Sequence, residues 1–138
     1  PDFMTIYHHE LTELPNIRMH GSMRTDSRRF QEIIKDVFCF IAPSCSEGLS
    51  PAVVTCMQLG LYPLISRNTG ITLPPYCGRY LDKCSVREIE GSVTELFQMS
   101  ASGLMSEIRR SQSHSLSQLS RATFREKMED FLLHAVER

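Results

Sequence analysis

The residues best suited to chemistry lie in the stretch 44–51, SCSEGLSP, where an acid precedes a predicted helix. Ser50 and Pro51 suit the N-cap and first-turn positions of that helix. A helix directs its free backbone N–H groups and its positive dipole end at the preceding loop. Gly48 would let the backbone approach a ligand closely. The pattern therefore predicts an anion site that suits phosphate.

Glu47 stands beside this predicted anion site, where a carboxylate is an odd neighbour for phosphate alone. It is better explained as an acceptor for the hydroxyl groups of a ligand. A phosphate together with a polyol indicates a sugar phosphate or a nucleotide sugar. The alternative is purely structural, because Ser-Pro helix starts are common and a nearby glutamate needs no ligand.

Composition narrows the classes of protein to consider. A chain of 138 residues has room for one domain and one hydrophobic core. Its net charge of -1 gives no electrostatic case for nucleic acid or an anionic membrane surface. No apolar run approaches the roughly 20 residues of a membrane span. The five cysteines lack C-x-x-C spacing and indicate buried, reduced thiols in a cytoplasmic protein. The histidines show no ligand spacing, so we expect no metal site.

The elements that must position the loop follow the alternation of an α/β protein. Strands are predicted at 16–21, 38–43, 61–66 and 78–81, and helices at 27–37, 51–59, 85–99, 102–110 and from 123 onward. Asp26 or Ser27 is the predicted N-cap of the first helix, and Gly60 is predicted to end the second. The residues 85–88, Ser-Val-Arg-Glu, are a predicted capping box at the start of the third. The continuous apolar run at 38–43 is typical of a strand covered on both faces. This order is typical of a parallel doubly wound sheet, whose ligands bind at the carboxyl ends of strands. The rule indicates the loops after Gly21, Pro43 and Ser66.

The C-terminal quarter is predicted to contain a linker and a closing helix. Residues 111–117 are polar and serine-rich, which favours a linker. Thr123 is the predicted cap of an amphipathic helix at about 121–137. The predicted apolar stripe of this helix consists of Phe124, Met128, Phe131, Leu132 and Ala135.

The loop and its surroundings resemble the donor-binding segment of group-1 glycosyltransferases with the GT-B fold. The residues in register with that family's pattern are Pro43-Ser44, Glu47-Gly48, Met57, Gly60 and Pro63. Further similarity is found at 16–21 and at 124–128, which resembles the family's closing helix. Gly70-Ile71 resembles the family's Gly-Gly-x-Pro-Glu region, but the family's glutamate is absent there. The resemblance covers roughly residue 16 to the end.

The resemblance implies a Rossmann-like parallel sheet flanked by helices, with residues 1–138 forming most of a C-terminal donor-binding domain. The first strands of that domain have no match here, nor do the basic residues that usually contact the donor diphosphate. The acceptor-binding N-terminal domain is also expected to lie outside this chain. The chain alone is therefore expected to be inactive.

The resemblance further implies the reaction and its partners. A glycosyl unit would pass from a nucleotide-diphosphate sugar to a hydroxyl group of a sugar or lipid-linked acceptor, with retention of configuration. Neither a metal ion nor another cofactor is expected, and the chain has no Asp-x-Asp motif. The expected setting is bacterial surface polysaccharide synthesis in the cytoplasm. Peripheral contact with the inner face of the membrane would come through the N-terminal domain.

The family's functional residues transfer to this sequence one by one. Glu47 would be the catalytic residue that holds the donor sugar. The amides of Gly48, Leu49 and Ser50 would contact sugar and phosphate oxygens. A second set would lie near the nucleotide base: Gly21, Ser22 and Met23.

Thr55 is the main departure from the family's pattern. It stands eight positions after Glu47, where the family has a second glutamate associated with the ribose hydroxyls. Threonine cannot accept two hydrogen bonds in bidentate fashion. We interpret Thr55 as a trait of a subfamily. Two alternatives stay open: a non-catalytic Rossmann-like interaction module that has lost donor binding, or another GT-B nucleotide-sugar enzyme such as an epimerase.

Overall fold

A computed structural model describes residues 2–136 of the chain. These residues form two compact units, divided between Lys35 and Asp36. The N-terminal unit contains three short helices, α1 (Phe3–Ile6), α2 (His8–Thr12) and α3 (Arg28–Ile34).

The strand predicted at 16–21 does not form, so that prediction is wrong. The segment has turn and irregular backbone, and Ile17 and Met19 are 38% and 51% exposed. A strand needs a hydrogen-bonded neighbour, and alternation of residue types alone supplies none. The helix that follows was predicted correctly: Ser27 is its N-cap, and Ser27 Oγ accepts a hydrogen bond from the Phe30 amide at 3.2 Å.

The C-terminal unit is built on a parallel sheet of three strands in the order β1 (Cys39–Ala42), β2 (Tyr62–Ser66) and β3 (Arg79–Leu81). Helix α4 (Pro51–Gln58) connects β1 to β2. A short 3-10 helix (Arg67–Thr69) begins the connection from β2 to β3. Three helices follow: α5 (Val86–Gln98), α6 (Ala101–Gln118) and α7 (Arg121–Val136). The predicted α/β class with a parallel sheet flanked by helices is confirmed.

The core of this unit consists of two clusters that meet at β2. Tyr62 and Leu64 belong to a cluster with Leu96 of α5, whereas Ile65 belongs to a cluster with Met57 of α4. Successive strand residues point to opposite faces, so β2 is covered on both. All five of its residues are buried.

The burial predicted for 38–43 is wrong in part. Phe38 and Ile41 are 38% and 44% exposed. Cys39, Phe40 and Ala42 are half-buried and pack against the two core clusters. The apolar character of this run therefore reflects burial at only some of its positions.

The linker predicted at 111–117 is also wrong, since these residues continue helix α6. Ser111 and Ser115 are fully buried one turn apart, and α6 packs on α4. Gln112 Nε2 donates to the Gln58 carbonyl oxygen at 2.9 Å, and Ser115 Oγ donates to the Val54 carbonyl oxygen at 3.4 Å. Tertiary packing thus overrides the weak helix propensity of serine.

The closing helix begins at Arg121, two residues before the predicted cap. Ser120 Oγ accepts from the Thr123 amide at 3.1 Å, so Ser120 takes the capping role assigned to Thr123. The predicted apolar stripe is largely exposed, with Phe124 at 61% and Phe131 at 66%. Across residues 2–136, no helix combines the length and hydrophobicity that a membrane crossing requires.

Candidate functional site

The candidate site is a cleft of about 380 Å³ at the carboxyl ends of all three strands. Its walls are residues 43–45 after β1, 66–68 after β2, and 81–84 at the end of β3. Open parallel sheets bind ligands at this edge. Two of the three loops indicated by the sequence, those after Pro43 and Ser66, therefore lie together, and the loop after β3 joins them.

Hydrogen bonds tie the first two loops to each other. They run from the Glu47 amide to the Asn68 carbonyl oxygen (2.8 Å), from the Ser50 amide to the Thr69 carbonyl oxygen (3.0 Å), and from Ser66 Oγ to the Ser44 carbonyl oxygen (2.6 Å). Each bond fixes backbone that would otherwise be free to move. The loop that carries Glu47 is therefore held by the 3-10 helix after β2.

The Glu47 side chain lies exposed beside the cleft wall. Ser44 Oγ donates a hydrogen bond to Glu47 Oε1. The hydroxyl groups of Ser44 and then Ser50 lower the pKa of the Glu47 carboxyl below its ordinary value. The carboxylate is consequently ionised at neutral pH, where it can only accept hydrogen bonds, as a partner of ligand hydroxyls must.

Helix α4 begins as the sequence predicts. Ser50 occupies the N-cap position with extended backbone, and Pro51 begins the helix. Ser50 is buried, but its hydroxyl makes no capping hydrogen bond. Pro51 has no N–H, so the first-turn donors that lack an acceptor within the helix are the Ala52 and Val53 amides. This end of α4 offers these N–H donors and positive potential to an anion.

Three further residues assigned by the resemblance lie on this loop and helix. A Cβ placed on Gly48 would meet no atom within 4 Å, so the side-chain position of Gly48 faces open space. Leu49 is 49% exposed, which leaves its amide as the group of chemical interest. Thr55 Oγ1 donates to the Pro51 carbonyl oxygen at 2.8 Å. The single hydroxyl proton of Thr55 is thus already used within its own helix.

Gly21, Ser22 and Met23, assigned to the nucleotide base, belong to the N-terminal unit. Gly21 has φ of +67°, Ser22 is exposed and Met23 is partly buried. The site in the C-terminal unit is built without them.

Sequence reasoning missed Arg67, which lies in the wall of the cleft. Its Nε donates to Asp82 Oδ1 at 3.1 Å, and its guanidinium lies 4.3 Å from the centre of the Tyr80 ring. A signal was present, because Arg67 directly follows a predicted strand on the edge where ligands bind.

The loop after β3 is held by Glu88 of α5. The Glu88 carboxylate accepts hydrogen bonds from the amides of Asp82 (2.7 Å) and Lys83 (2.9 Å). Desolvation alone would raise the pKa of the Glu88 carboxyl, but hydrogen bonds from the backbone amides of residues 82–85 together outweigh it and lower the pKa. Ser85 was correctly predicted as the cap of α5, with its Oγ accepting from the Glu88 amide at 3.2 Å. The predicted capping box therefore also positions Asp82 and Lys83.

Two free cysteines line the cleft. Cys45 is exposed, against the prediction of buried thiols, and Cys84 is half-buried with φ of +51°. Among the described residues, no group of three or more His, Cys, Asp or Glu side chains is placed to hold a metal ion.

The chain was compared with protein families, curated proteins and solved structures. No protein-family model, no curated protein and no solved structure matches the chain. The class of protein is therefore defined by the fold, as an α/β protein with a three-stranded parallel sheet flanked by helices. A cleft at the carboxyl edge of that sheet is its candidate site.

Proposed function

We propose that the chain is the nucleotide-sugar-binding domain of a GT-B glycosyltransferase. The observation that carries the proposal is the position of Glu47, an ionised, exposed carboxylate between the carboxyl edge of the sheet and the open N-terminus of α4. An acceptor for sugar hydroxyls thus stands next to donors for phosphate oxygens. The similarity of residues 43–63 to the donor-binding segment of that family supports the same assignment.

Each group has a defined role in this proposal. The Glu47 carboxylate accepts hydrogen bonds from hydroxyls of the donor sugar, while Ser44 holds the carboxylate in place. The amides of Gly48 to Ser50 and of the first turn of α4 face sugar and phosphate oxygens. Because the Ser50 amide already donates to Thr69, the Gly48 and Leu49 amides carry most of this role.

The proposed reaction transfers a glycosyl unit to a hydroxyl acceptor. Its transition state resembles an oxocarbenium ion, and negative charge builds on the leaving diphosphate. Fixed N–H donors and the positive end of α4 stabilise that charge without reorganisation. We propose a retaining, metal-independent transfer to a sugar or lipid-linked acceptor, in the cytoplasm at the inner face of the membrane. An acceptor domain outside these residues completes the enzyme.

One observation favours a second candidate, a Rossmann-like module that does not turn over a sugar donor. The Thr55 hydroxyl already donates to the Pro51 carbonyl oxygen, and its single oxygen cannot accept two ribose hydrogen bonds in bidentate fashion as a glutamate would. If ribose anchoring is lost, the cleft would bind anions without selecting nucleosides.

Calorimetric titration separates the two candidates. The 138-residue chain is titrated with nucleoside diphosphates and with the corresponding nucleotide sugars. Glu47→Gln keeps the shape of the side chain and removes its charge. We expect Glu47→Gln to weaken binding of the nucleotide sugar that wild type prefers by about tenfold, equivalent to about 1.4 kcal/mol. The same substitution should weaken binding of the corresponding nucleoside diphosphate far less. Glu90→Gln, an exposed substitution on α5, is the matched control.

The transferase proposal fails if no nucleotide sugar binds. It also fails if Glu47→Gln and Glu90→Gln behave alike. Binding of nucleoside diphosphates with no preference for any sugar would support the second candidate.

A further inference from the structure

The roles proposed for Glu47 and α4 leave unused the two cationic residues in the walls of the cleft, Arg67 and Lys83. The walls also contain one acid, Asp82, and two further carboxylates, those of Glu47 and Glu88, are hydrogen-bonded to the loops that form the walls. Cationic groups in a concave site raise the local concentration of anions.

The Arg67 guanidinium is held in one orientation by two contacts. It lies 4.3 Å from the centre of the Tyr80 ring, and its Nε donates to Asp82. Tyr80 is itself fixed, since its hydroxyl accepts from the Leu73 amide at 2.7 Å and donates to the Ile71 carbonyl oxygen at 3.0 Å. The guanidinium thus rests on a rigid aromatic platform.

This arrangement leaves most of the guanidinium's donors available. A guanidinium carries five N–H donors, and within residues 2–136 only Nε of Arg67 has a hydrogen-bond partner. Its two Nη groups can form the paired hydrogen bonds that phosphate oxygens accept. The ion pair with Asp82 is 66% exposed on both sides, so exchanging that carboxylate for a phosphate costs little.

The loop after β3 brings Lys83 to the same cleft. Its backbone is fixed by the Glu88 carboxylate, which holds the amides of Asp82 and Lys83. Lysine acts as a mobile point charge, whereas arginine provides a directional pair of donors. Together they form a site for a doubly charged group.

We propose that Arg67, assisted by Lys83, binds a phosphate or diphosphate group in the cleft, and that Asp82 competes with this anion for the guanidinium. This anion site lies at the carboxyl ends of β2 and β3, whereas Glu47 follows β1. The identity of the ligand as part of a nucleotide sugar rests on the proposed function. Its negative charge rests only on Arg67 and Lys83. A cleft of about 380 Å³ has room for a diphosphate.

Because Arg67 binds the anion and Asp82 competes with it, substitutions at the two residues should change the affinity in opposite directions. Inorganic pyrophosphate is titrated into the 138-residue chain at low ionic strength, with binding followed by calorimetry and amide chemical shifts. We expect Arg67→Gln to weaken binding at least about tenfold and Lys83→Gln about threefold. Asp82→Asn should strengthen binding about threefold, because it removes both repulsion and a competitor. Arg67→Lys should fall between wild type and Arg67→Gln.

Arg28 provides a matched control in the N-terminal unit. Its Nε donates to Glu32 Oε1 at 2.8 Å in an exposed ion pair, the same type of hydrogen bond that joins Arg67 to Asp82. Arg28→Gln and Glu32→Gln should leave the affinity for pyrophosphate within about twofold of wild type, since neither residue is part of the cleft walls. Unchanged far-UV circular dichroism in every variant shows that folding is retained.

Three results would overturn the inference: no pyrophosphate binding by wild type at millimolar concentration, wild-type affinity in Arg67→Gln, or weaker binding in Asp82→Asn. A nucleoside diphosphate that binds more tightly than pyrophosphate, with the same dependence on Arg67, would show that the anion belongs to a nucleotide. Binding of pyrophosphate without tighter binding of any nucleoside diphosphate would identify a free anion as the ligand.

The outcomes also separate this inference from the proposed function. Binding of pyrophosphate that needs Arg67, with no binding of any nucleotide sugar, rejects the transferase and retains the anion site. Binding of a nucleotide sugar that needs Glu47 but not Arg67 rejects the anion site and retains the transferase.

Discussion

Gly70 and Gly48 are in main-chain contact across the two loops that follow β1 and β2. A Cβ placed on Gly70 would lie 1.9 Å from the Gly48 carbonyl oxygen, and Gly70 has φ of +70°. No side chain fits there, and the backbone conformation is one that L-residues rarely adopt. The glycine that shapes the Glu47 loop is therefore Gly70, which lies 22 positions after Gly48 in the sequence.

Gly70→Ala should destabilise the protein by at least about 2 kcal/mol, because it adds a backbone clash to a strained φ. For a unit of this size, that loss lowers the melting temperature by about 10 °C. Gly48→Ala, where a Cβ meets open space, should change stability by no more than about 0.5 kcal/mol. Thermal unfolding followed by circular dichroism measures both. Equal losses in the two variants would contradict this account of the loop contact.

Ser111→Ala is expected to stabilise the protein by about 1 kcal/mol. Ser111 Oγ is buried and has no hydrogen-bond partner among the described residues, so removing it relieves an unsatisfied polar group. Ser106→Ala, an exposed substitution on the same helix, measures the contribution of alanine's helix propensity alone, about 0.5 kcal/mol. Urea unfolding gives both values. The explanation is wrong if Ser111→Ala is no more stable than Ser106→Ala.

Thr55→Ala should leave the affinity for a nucleotide sugar within about twofold of wild type, because the Thr55 hydroxyl donates to Pro51 rather than into the cleft. Thr55→Glu restores the acid that the glycosyltransferase pattern has at this position. If the resemblance reflects function, Thr55→Glu should bind the nucleotide more tightly, and calorimetry would show the change. A large loss in Thr55→Ala would instead place its hydroxyl in the binding site.

The secondary structure of the C-terminal unit was largely predictable because its local patterns agree with its packing. The run 61–66 has buried-strand composition and became the central strand, and Gly60 follows α4 as the predicted helix terminator. The failures have a common cause. The exposure of β1, the straight continuation of α6 through 111–117 and the absence of a strand at 16–21 depend on which elements become neighbours, and residue types do not encode that locally.

The candidate site was only half predictable for the same reason. Glu47, Ser50 and Pro51 form a contiguous pattern, so the sequence reveals the start of α4 and the acid beside it. Arg67 and Asp82 are separated by 14 residues, and their contact exists only because β2 and β3 pair in parallel. Contiguous motifs are visible in a sequence, whereas groups assembled from several strand ends appear only in the fold.

The stability of the protein should depend on the ionisation of Glu88. Its pKa is lowered from the ordinary value of 4.5 in the folded state, so its contribution is complete above about pH 4.5 and is lost as the pH falls through the folded-state pKa. Glu88→Gln should have a lower melting temperature than wild type at pH 7, since an amide has one acceptor oxygen for the Asp82 and Lys83 amides. The difference should narrow as the pH falls below 4.5 and through the folded-state pKa, because the wild-type carboxylate becomes protonated. A constant difference from pH 7 to pH 3 would show that charge at Glu88 is irrelevant.

Cys45 should be the first cysteine to react with iodoacetamide at neutral pH. It is exposed in the wall of the cleft, whereas burial raises the pKa of the Cys39 thiol to about 11 and leaves little reactive thiolate. A ligand that occupies the cleft should slow the alkylation of Cys45 several-fold. Cys56 lies on α4 outside the cleft walls, so its slower reaction should not respond to ligand.

Peptide mass spectrometry over a time course follows each cysteine separately, with pyrophosphate and a nucleotide sugar as alternative ligands. Protection of Cys45 by both ligands places them in the same cleft. Protection by the nucleotide sugar alone would show that the sugar or nucleotide, rather than the anion, covers the β1 wall where Cys45 lies. If a ligand binds by calorimetry and Cys45 still reacts at its free rate, that ligand occupies a different surface, and the cleft is not its binding site.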